Sequence, residues 1–268
     1  MLVINRIQGS SLMKIQPILT SYFLDQELRG LDGLALESWR VTQRHLPTAS
    51  TQVRLSVLHA GLADAVEAAL LEGTLPVSIA GDCCTAVGVL AGLQRAGVDP
   101  LLIWFDAHGD FNTWETTPSG FLGGMPLAML AGLGEQTLLE RNQVAPLVQE
   151  RIILSDARDL DPGEAELVAG SKLTHLSDPL QFLEHPLGEG PIWVHFDTDV
   201  INPGQSPAQN YPAPGGPHPA VLTKVFRHLA ATGRIQAVSM SSWAPDLPGS
   251  DRSRQVSMAL LDVLLSPP

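Results

Sequence analysis

Residues 101–110 read LLIWFDAHGD: five apolar residues run straight into two carboxylates with a histidine between them. The run is long enough for a buried strand, and its polar cluster would emerge at the carboxyl end, where open α/β sheets place their ligands. In a chain that stays extended, Asp106, His108 and Asp110 alternate with Ala107 and Gly109 and point to one side. Residues 191–200 repeat the pattern as PIWVHFDTDV, an apolar run ending in Asp197 and Asp199. A lone aspartate after a strand is ordinarily a cap or a turn residue. Five ligand-type side chains in two clusters, each behind a near-continuous apolar run, exceed what capping explains. Burying so many like charges without cations is very unfavourable, so D-x-H-x-D together with D-x-D predicts two hard cations sharing carboxylates.

With 268 residues and 44% hydrophobic content the chain can bury a full core, and one domain spanning 1–268 is expected. The formal charge of -12 argues against a nucleic-acid or anionic-membrane partner, although metal-site carboxylates contribute to it and would be neutralised by cations. No apolar stretch reaches the about 18 residues of a membrane span, and the opening MLVINRIQGSSLMK lacks the apolar core of a signal peptide. A cytoplasmic location follows as the default expectation. The only cysteines, Cys83 and Cys84, are adjacent and ill-placed to bridge each other, which points to reactive or metal-binding chemistry rather than a disulfide scaffold.

Outward from the opening motif, a strand is expected near 14–18. From 53 to 71 the residues Val57, Leu58, Leu62, Val66 and Leu70 recur every three or four positions, which predicts a helix with one buried face, ended by Gly73. Residues 75–80 form a short apolar strand with GDCC at its end, opening a helix through 90–94 that stops at Gly97. With 101–110 this makes a right-handed βαβ unit whose two strand ends lie near one another on the same sheet edge. The segment FNTWETTPSGFLGGMP at 111–126 is an ordered loop before a helix over 127–133, and loops at this edge touch ligands. Further strands are expected at 151–154, 172–175, 191–196 and 235–240, with helices over 163–168, 219–231 and 254–265. Between 202 and 219 a stretch crowded with Pro and Gly makes a second long loop at that edge. Alternating strands and helices predict a mostly parallel sheet covered on both faces.

Taken together, GDCC at 81–84, DAHGD at 106–110, SGFLGGMP at 119–126, HFDTDVINP at 195–203 and PAPGG at 212–216 resemble the arginase/agmatinase/formiminoglutamase family, in its order and spacing, over roughly residues 75–250. The resemblance implies a three-layer α/β/α fold with a mostly parallel central sheet, two divalent metal ions of which manganese is the family's, and a homo-oligomer, trimer or hexamer. It implies hydrolysis of a non-peptide carbon–nitrogen bond in a small-molecule substrate by a hydroxide bridging the metals. Asp106 and Asp197 would bridge the ions, and His108 and Asp199 would complete one shell. Asp110 would serve the other ion with a histidine at the fourth place of G-G-D-H, but here that stretch reads Ala80-Gly81-Asp82-Cys83, so Cys83 stands in the histidine's place. Sulfur suits zinc, iron or cobalt better than manganese. A thiolate also leaves the cluster one unit more negative than an imidazole, so it should bind metals well but acidify their bound water less. Three readings of Cys83 stay open: metal ligand, thiol beside a one-metal site, or nucleophile or redox switch. Cys84 is assigned to packing.

Two further departures bear on the substrate. The family's loop carries a histidine before Gly-Met-Pro or its equivalent, as proton shuttle and substrate contact, and here that position is Gly123. Ser242, in SMSSWAP at 239–245, stands where the family has a glutamate that holds the guanidinium or formimino nitrogen. A hydroxyl is no bidentate anionic partner for a planar cation, so arginine, agmatine and guanidinobutyrate weaken as candidates and a substrate neutral at its reacting carbon gains. Lesser changes are Asn202 for an aspartate before Pro203 and Phe121 where arginases often have asparagine. Thr117, Ser119, Phe121 and Ser242 are the expected substrate contacts, and Trp114, Phe121 and Trp243 would make the pocket more apolar. His195, often serine in the family, alternates onto the same side as Asp197 and Asp199, as a partner behind the ligands or a substitute acid. Asp110 or His195 would handle the departing proton, and His218 is read as a surface residue near the mouth. The losses at Gly123 and Ser242 support a second reading beside the hydrolase: a family member without catalysis, kept as a metal- or ligand-binding or oligomeric protein.

Overall fold

In the computed structural model the apolar runs become strands, and the structure describes residues 5–8 and 11–266, with side chains from Lys14 onward. Residues 1–4, part of the opening stretch that lacks a leader's apolar core, lie outside the described residues, as do 9–10 and 267–268. The strands are β1 (Asn5–Gln8), β2 (Ser11–Thr20), β3 (Tyr22–Phe23), β4 (Gln26–Glu27), β5 (Arg40–Val41), β6 (Leu75–Ala80), β7 (Leu101–His108), β8 (Ile152–Asp159), β9 (Thr174–Leu176), β10 (Ile192–Asp197) and β11 (Ile235–Ser241). The helices are α1 (Thr51–Leu71), α2 (Ala86–Arg95), α3 (Pro126–Leu130), α4 (Thr137–Asn142), α5 (Pro162–Gly170), α6 (Pro219–Ala231) and α7 (Ser250–Leu265).

One large sheet runs in the order β1-β2-β6-β11-β10-β7-β8-β9, with β5 beside β2, while β3 and β4 pair separately. Every pairing in the large sheet is parallel except that of β1 with β2. Parallel strands bring their carboxyl ends to one edge, where ligands bind. The two apolar runs read first in the sequence lie side by side, Ile192 opposite Leu101 through Phe196 opposite Phe105. That register sets Asp197 beside Asp106. The βαβ unit of β6, α2 and β7 is present, but β11 and β10 stand between its two strands, so their ends share an edge without being neighbours.

Alternation along the central strands feeds two cores. Trp104 and Trp193 pack with Leu58, Leu62 and Val66 of α1 and Val87 and Leu90 of α2. Phe105, Val194 and Phe196 pack with Phe226 and Leu229 of α6 and Leu261 and Leu264 of α7. This is the expected α/β/α layering. Among the described residues no helix is long and apolar enough to cross a membrane.

The expected elements are present, α6 with the bounds read from the sequence, and three departures have local causes. α3 stops at Leu130, short of 133, where Gly132 takes φ +79 and the chain turns toward α4, which is too short to display a helical period. β8 runs past 154 to Asp159 although its second half is polar, because Asp156 stays paired with Asp106 before the ladder shifts between Asp106 and His108. β7 itself ends at His108, and Asp110 adopts φ 49, so Asp110 reaches the site by a turn and not by the extended alternation read from the sequence.

Candidate metal centre

Three parallel strands end in the same device. Asp82, Asp106 and Asp197 each accept the backbone N–H two residues on, from Cys84, His108 and Asp199, in every case at 2.8 Å. Aspartate favours this local turn because its short side chain reaches its own backbone. At Asp82 the second oxygen is also consumed, by the Leu24 N–H at 2.6 Å. At Asp106 the Trp104 indole N–H donates to the second oxygen at 3.1 Å, which fixes the carboxylate plane. At Asp197 the second oxygen accepts from the Cys83 thiol at 2.8 Å and from the Ser242 hydroxyl.

The side chains converge into two triads that share Asp106: Cys83, Asp106 and Asp110, with ligand atoms within 4.8 Å of one another, and Asp106, His108 and Asp199 likewise. His108 Nδ1 lies 3.4 Å from Asp106 and 3.2 Å from Asp199. Asp197 belongs to neither triad but touches Cys83. Burial pushes Asp110 and Asp197 well above the usual carboxylate range, and the charges of neighbouring carboxylates push them further. Asp199 is raised by burial and by Asp106, whereas at Asp106 the effect of burial is overcome by the hydrogen bond and charge of His108. Burial opposes the charge on His108, but hydrogen bonds to Asp106 and Asp199 and the charges of both outweigh it and hold His108 up at about 12. The upward shifts of Asp110, Asp197 and Asp199 arise from like charges gathered out of water, which is the charge imbalance that cations would relieve. Among the described residues Asp110 Oδ2 is buried without a hydrogen-bond partner. Three carboxylates, one imidazole and one thiol in two triads with a common carboxylate, a fourth carboxylate, Asp197, against the thiol, and one oxygen of Asp110 left unpaired fit a pair of divalent cations.

Cys83 is raised well above an ordinary thiol by burial and then by Asp197, Asp110 and Asp106. Without a cation it is not a ready thiolate nucleophile. Cys84 is buried, its Sγ 3.7 Å from the Leu122 carbonyl, in the packing role expected for it. His195 is fully buried behind Cys83, is not part of the cavity wall, and is held down at about 3 by burial. Ser242, at φ 67, faces the cavity while donating to Asp197.

The centre forms the floor of a cavity of about 490 Å³. Thr117, Ser119, Phe121 and Gly123 are on its wall, with Phe23, Asn112, Asp159, Asp161, Glu164, Asn210 and Tyr211, none of which the sequence reading had singled out. Part of that signal was present: DLDPGE at 159–164 places Pro162 at the first position of α5 and closes a capping box between Asp161 and Glu164. Trp114 and Trp243 do not line the cavity. Trp114 is 44% exposed with its indole N–H toward Glu135, and Trp243 packs in the α6–α7 core. His218 caps α6, its Nδ1 accepting from Ala220 N at 3.2 Å, and Asn202 closes a turn onto Gly204 N at 2.8 Å.

A fold of this topology with a paired carboxylate centre at the strand ends defines a class, and the comparisons agree on it. The Arginase family model matches residues 21–266. The N(omega)-hydroxy-L-arginine amidinohydrolase of Streptomyces lavendulae is 33% identical over 193 residues, covering 71% of this chain and 68% of that one. The arginase of Bacillus caldovelox is 33% identical over 225 residues, covering 76% and 72%. The crystal structure of arginase from Bacillus subtilis aligns with a TM-score of 0.80 at 26% identity, covering 94% of this chain and 98% of that one. The chain belongs to the arginase family, and with it to the metal-dependent hydrolases of carbon–nitrogen bonds other than peptide bonds. A non-catalytic binding role is not favoured.

Proposed function

We propose that the chain is an amidinohydrolase for an α-amino acid bearing an N-hydroxyguanidino group, preferred over the fully cationic guanidino form. The observation that carries this is Ser242. A hydroxyl already committed to Asp197 occupies the wall where an anionic clamp for a guanidinium is expected. A hydroxyguanidine is less basic than a guanidine and loses less when that clamp is missing. The likeness to the N(omega)-hydroxy-L-arginine amidinohydrolase of Streptomyces lavendulae supports the reading.

Cys83, Asp106 and Asp110 would hold one cation and Asp106, His108 and Asp199 the other, with Asp197 between them. Two divalent cations there would supply an activated water and Lewis-acid polarisation of the amidino carbon. The carboxylate-rich donor set suits manganese, and the sulfur of Cys83 admits zinc, iron or cobalt at its triad. One oxygen of Asp110 would help hold the cation, and the other would take a proton from the attacking water and pass it to the departing nitrogen. At the mouth, the Thr117 and Ser119 hydroxyls face a substrate carboxylate, and Asp161, held by Asn112 Nδ2 at 3.0 Å, faces its ammonium.

The test is elemental analysis of the purified protein, followed by kcat/KM for N-hydroxy-L-arginine, L-arginine and agmatine. Bound metal and a preference of at least about tenfold for the hydroxy compound over arginine, worth about 1.4 kcal/mol, are expected, with agmatine poorest. A preference for arginine, or turnover that survives removal of all metal, would overturn the proposal.

A further inference from the structure

Position 83 lacks an imidazole, yet one stands directly behind it. His195 is 1% exposed and lies flat on the Trp104 indole, ring centroids 3.6 Å apart and 17° from parallel. Both ring nitrogens are engaged: Nδ1 is 2.8 Å from Ser239 Oγ, and Nε2 is 3.3 Å from Cys83 Sγ and 3.3 Å from Ser241 Oγ. Which nitrogen carries the hydrogen follows from a residue one step further back. An indole N–H only donates, and Trp193 Nε1 donates to Ser239 Oγ at 2.9 Å. The Ser239 hydroxyl hydrogen is then directed to Nδ1, the side-chain acceptor beside it. Ser239 Oγ makes no other side-chain hydrogen bond among the described residues, so the arrangement that leaves its hydrogen satisfied has Nδ1 accepting and Nε2 carrying the N–H, aimed at Cys83 and Ser241.

We propose that His195 is a positioning residue for Cys83: the chain Trp193, Ser239, His195 points an Nε2–H donor at Sγ and so fixes the sulfur as a thiolate ligand to a divalent cation. This rests on the reading of Cys83 as a ligand. The device answers the charge problem that Cys83 creates. A thiolate brings one more negative charge to the floor of the cavity than a neutral imidazole, and an N–H donor on the sulfur spreads that charge over a second side chain. Ser241 Oγ, 3.0 Å from Sγ, serves the same sulfur from the neighbouring strand. The cysteine and the histidine are thus parts of one arrangement, the imidazole moved from direct ligation to the layer behind.

The experiment is titration of the metal-free protein with Co²⁺, following the near-ultraviolet thiolate-to-cobalt absorption and the metal affinity. Wild type is expected to show the band and Cys83→Ser to lose it. His195→Phe keeps a flat ring on Trp104 without a donor. It is expected to move the band to longer wavelength and to weaken Co²⁺ binding about 10- to 100-fold, while His195→Gln, which restores an N–H, recovers part of both. Absence of the band in wild type overturns ligation by Cys83 and this proposal with it. A band and affinity unchanged in His195→Phe overturn the role of His195 alone. If that variant does not fold, ¹⁵N NMR of the wild-type histidine ring decides: an Nε2–H tautomer is expected, and Nδ1–H overturns the proposal.

Discussion

Gly123 and Phe121 compete for one space, and the competition can be measured. A Cβ at position 123 would lie 2.4 Å from both Cε1 and Cζ of Phe121, so any side chain there must expel the ring. The ring is held by two others, stacked with Phe23 at a centroid distance of 6.3 Å and tilted against Tyr211 at 5.4 Å. Each such pair contributes about 0.5–1.5 kcal/mol beyond buried area, so Gly123→His should destabilise by about 1–3 kcal/mol through loss of both. Phe121→Ala removes the same ring and should cost a similar amount. With the ring gone the clash of a Cβ is relieved, because the three nearest atoms all belong to Phe121 and any other lies no closer than 3.3 Å. The double variant should therefore be no less stable than Phe121→Ala alone, giving a coupling energy of about 1–3 kcal/mol. Urea unfolding of the four proteins, followed by tryptophan fluorescence, reads this directly. Additivity within about 0.5 kcal/mol would refute the shared-space argument. The same geometry means that a histidine placed at position 123 by one substitution must displace the Phe121 ring.

Three other outcomes are expected. Arg158 donates to the carbonyls of Asp199, Val200, Ala213 and Pro214 and to the Asp156 carboxylate. Arg158→Lys leaves several of these unsatisfied and should cost about 2–4 kcal/mol in urea unfolding while weakening metal binding through Asp199; a loss below 0.5 kcal/mol, on the order of a surface change, would contradict the clamp. The metal centre should make stability pH-dependent: Asp110, Asp197 and Asp199 are raised, so the metal-free chain loses stability as pH climbs from about 4 toward their folded values. His108, held at about 12, adds in the same direction above pH about 6.5, whereas the lowered Asp106 acts only below about 4. Scanning calorimetry with and without chelator should show the gap in Tm between loaded and metal-free protein widening from acid to neutral pH, and a narrowing gap would count against the charge assignment. His59 is buried with neither ring nitrogen hydrogen-bonded among the described residues and is held down at about 3 by burial. The unfolded chain takes up a proton below its pKa of about 6.5 that the folded chain refuses, worth about 2 kcal/mol at pH 5. His59→Leu should lower the unfolding free energy at pH 8 minus that at pH 5 by that amount, opposite in sign to the cluster's effect, and an unchanged value would show that His59 is solvated.

What was legible in the sequence is what a single segment encodes on its own. An apolar strand ending in an aspartate that must both turn the chain and leave an oxygen free is local, and Asp106 with Asp197 could be read from two ten-residue windows. Asp110 joins the cluster by another geometry than the one read: alternation assumes an extended chain, and the structure brings the carboxylate in through a left-handed turn. What stayed hidden depends on pairs far apart in the chain. Nothing near Gly123 states that a phenyl ring fills its space, although Phe121 is two residues away, because the ring's position is set by Phe23 and Tyr211.

Arg158 shows the limit most clearly. In the sequence it is one charge in the polar tail of a strand, yet folded it reaches across the ends of β8 and β10 to carbonyls 41 to 56 residues away. Gly216, at φ +85, would place a Cβ 2.6 Å from that guanidinium, so the PAPGG motif is a glycine requirement imposed by the arginine and not a flexible hinge. A motif read as a family mark is, in physical terms, the space a distant side chain needs. The same logic joins His195 to Cys83. A histidine next to a metal strand and a cysteine in a histidine's place look like two unrelated departures until the sheet order puts β10 and β6 on either side of β11. There the imidazole of His195 lies 3.3 Å behind the sulfur that stands in a histidine's place.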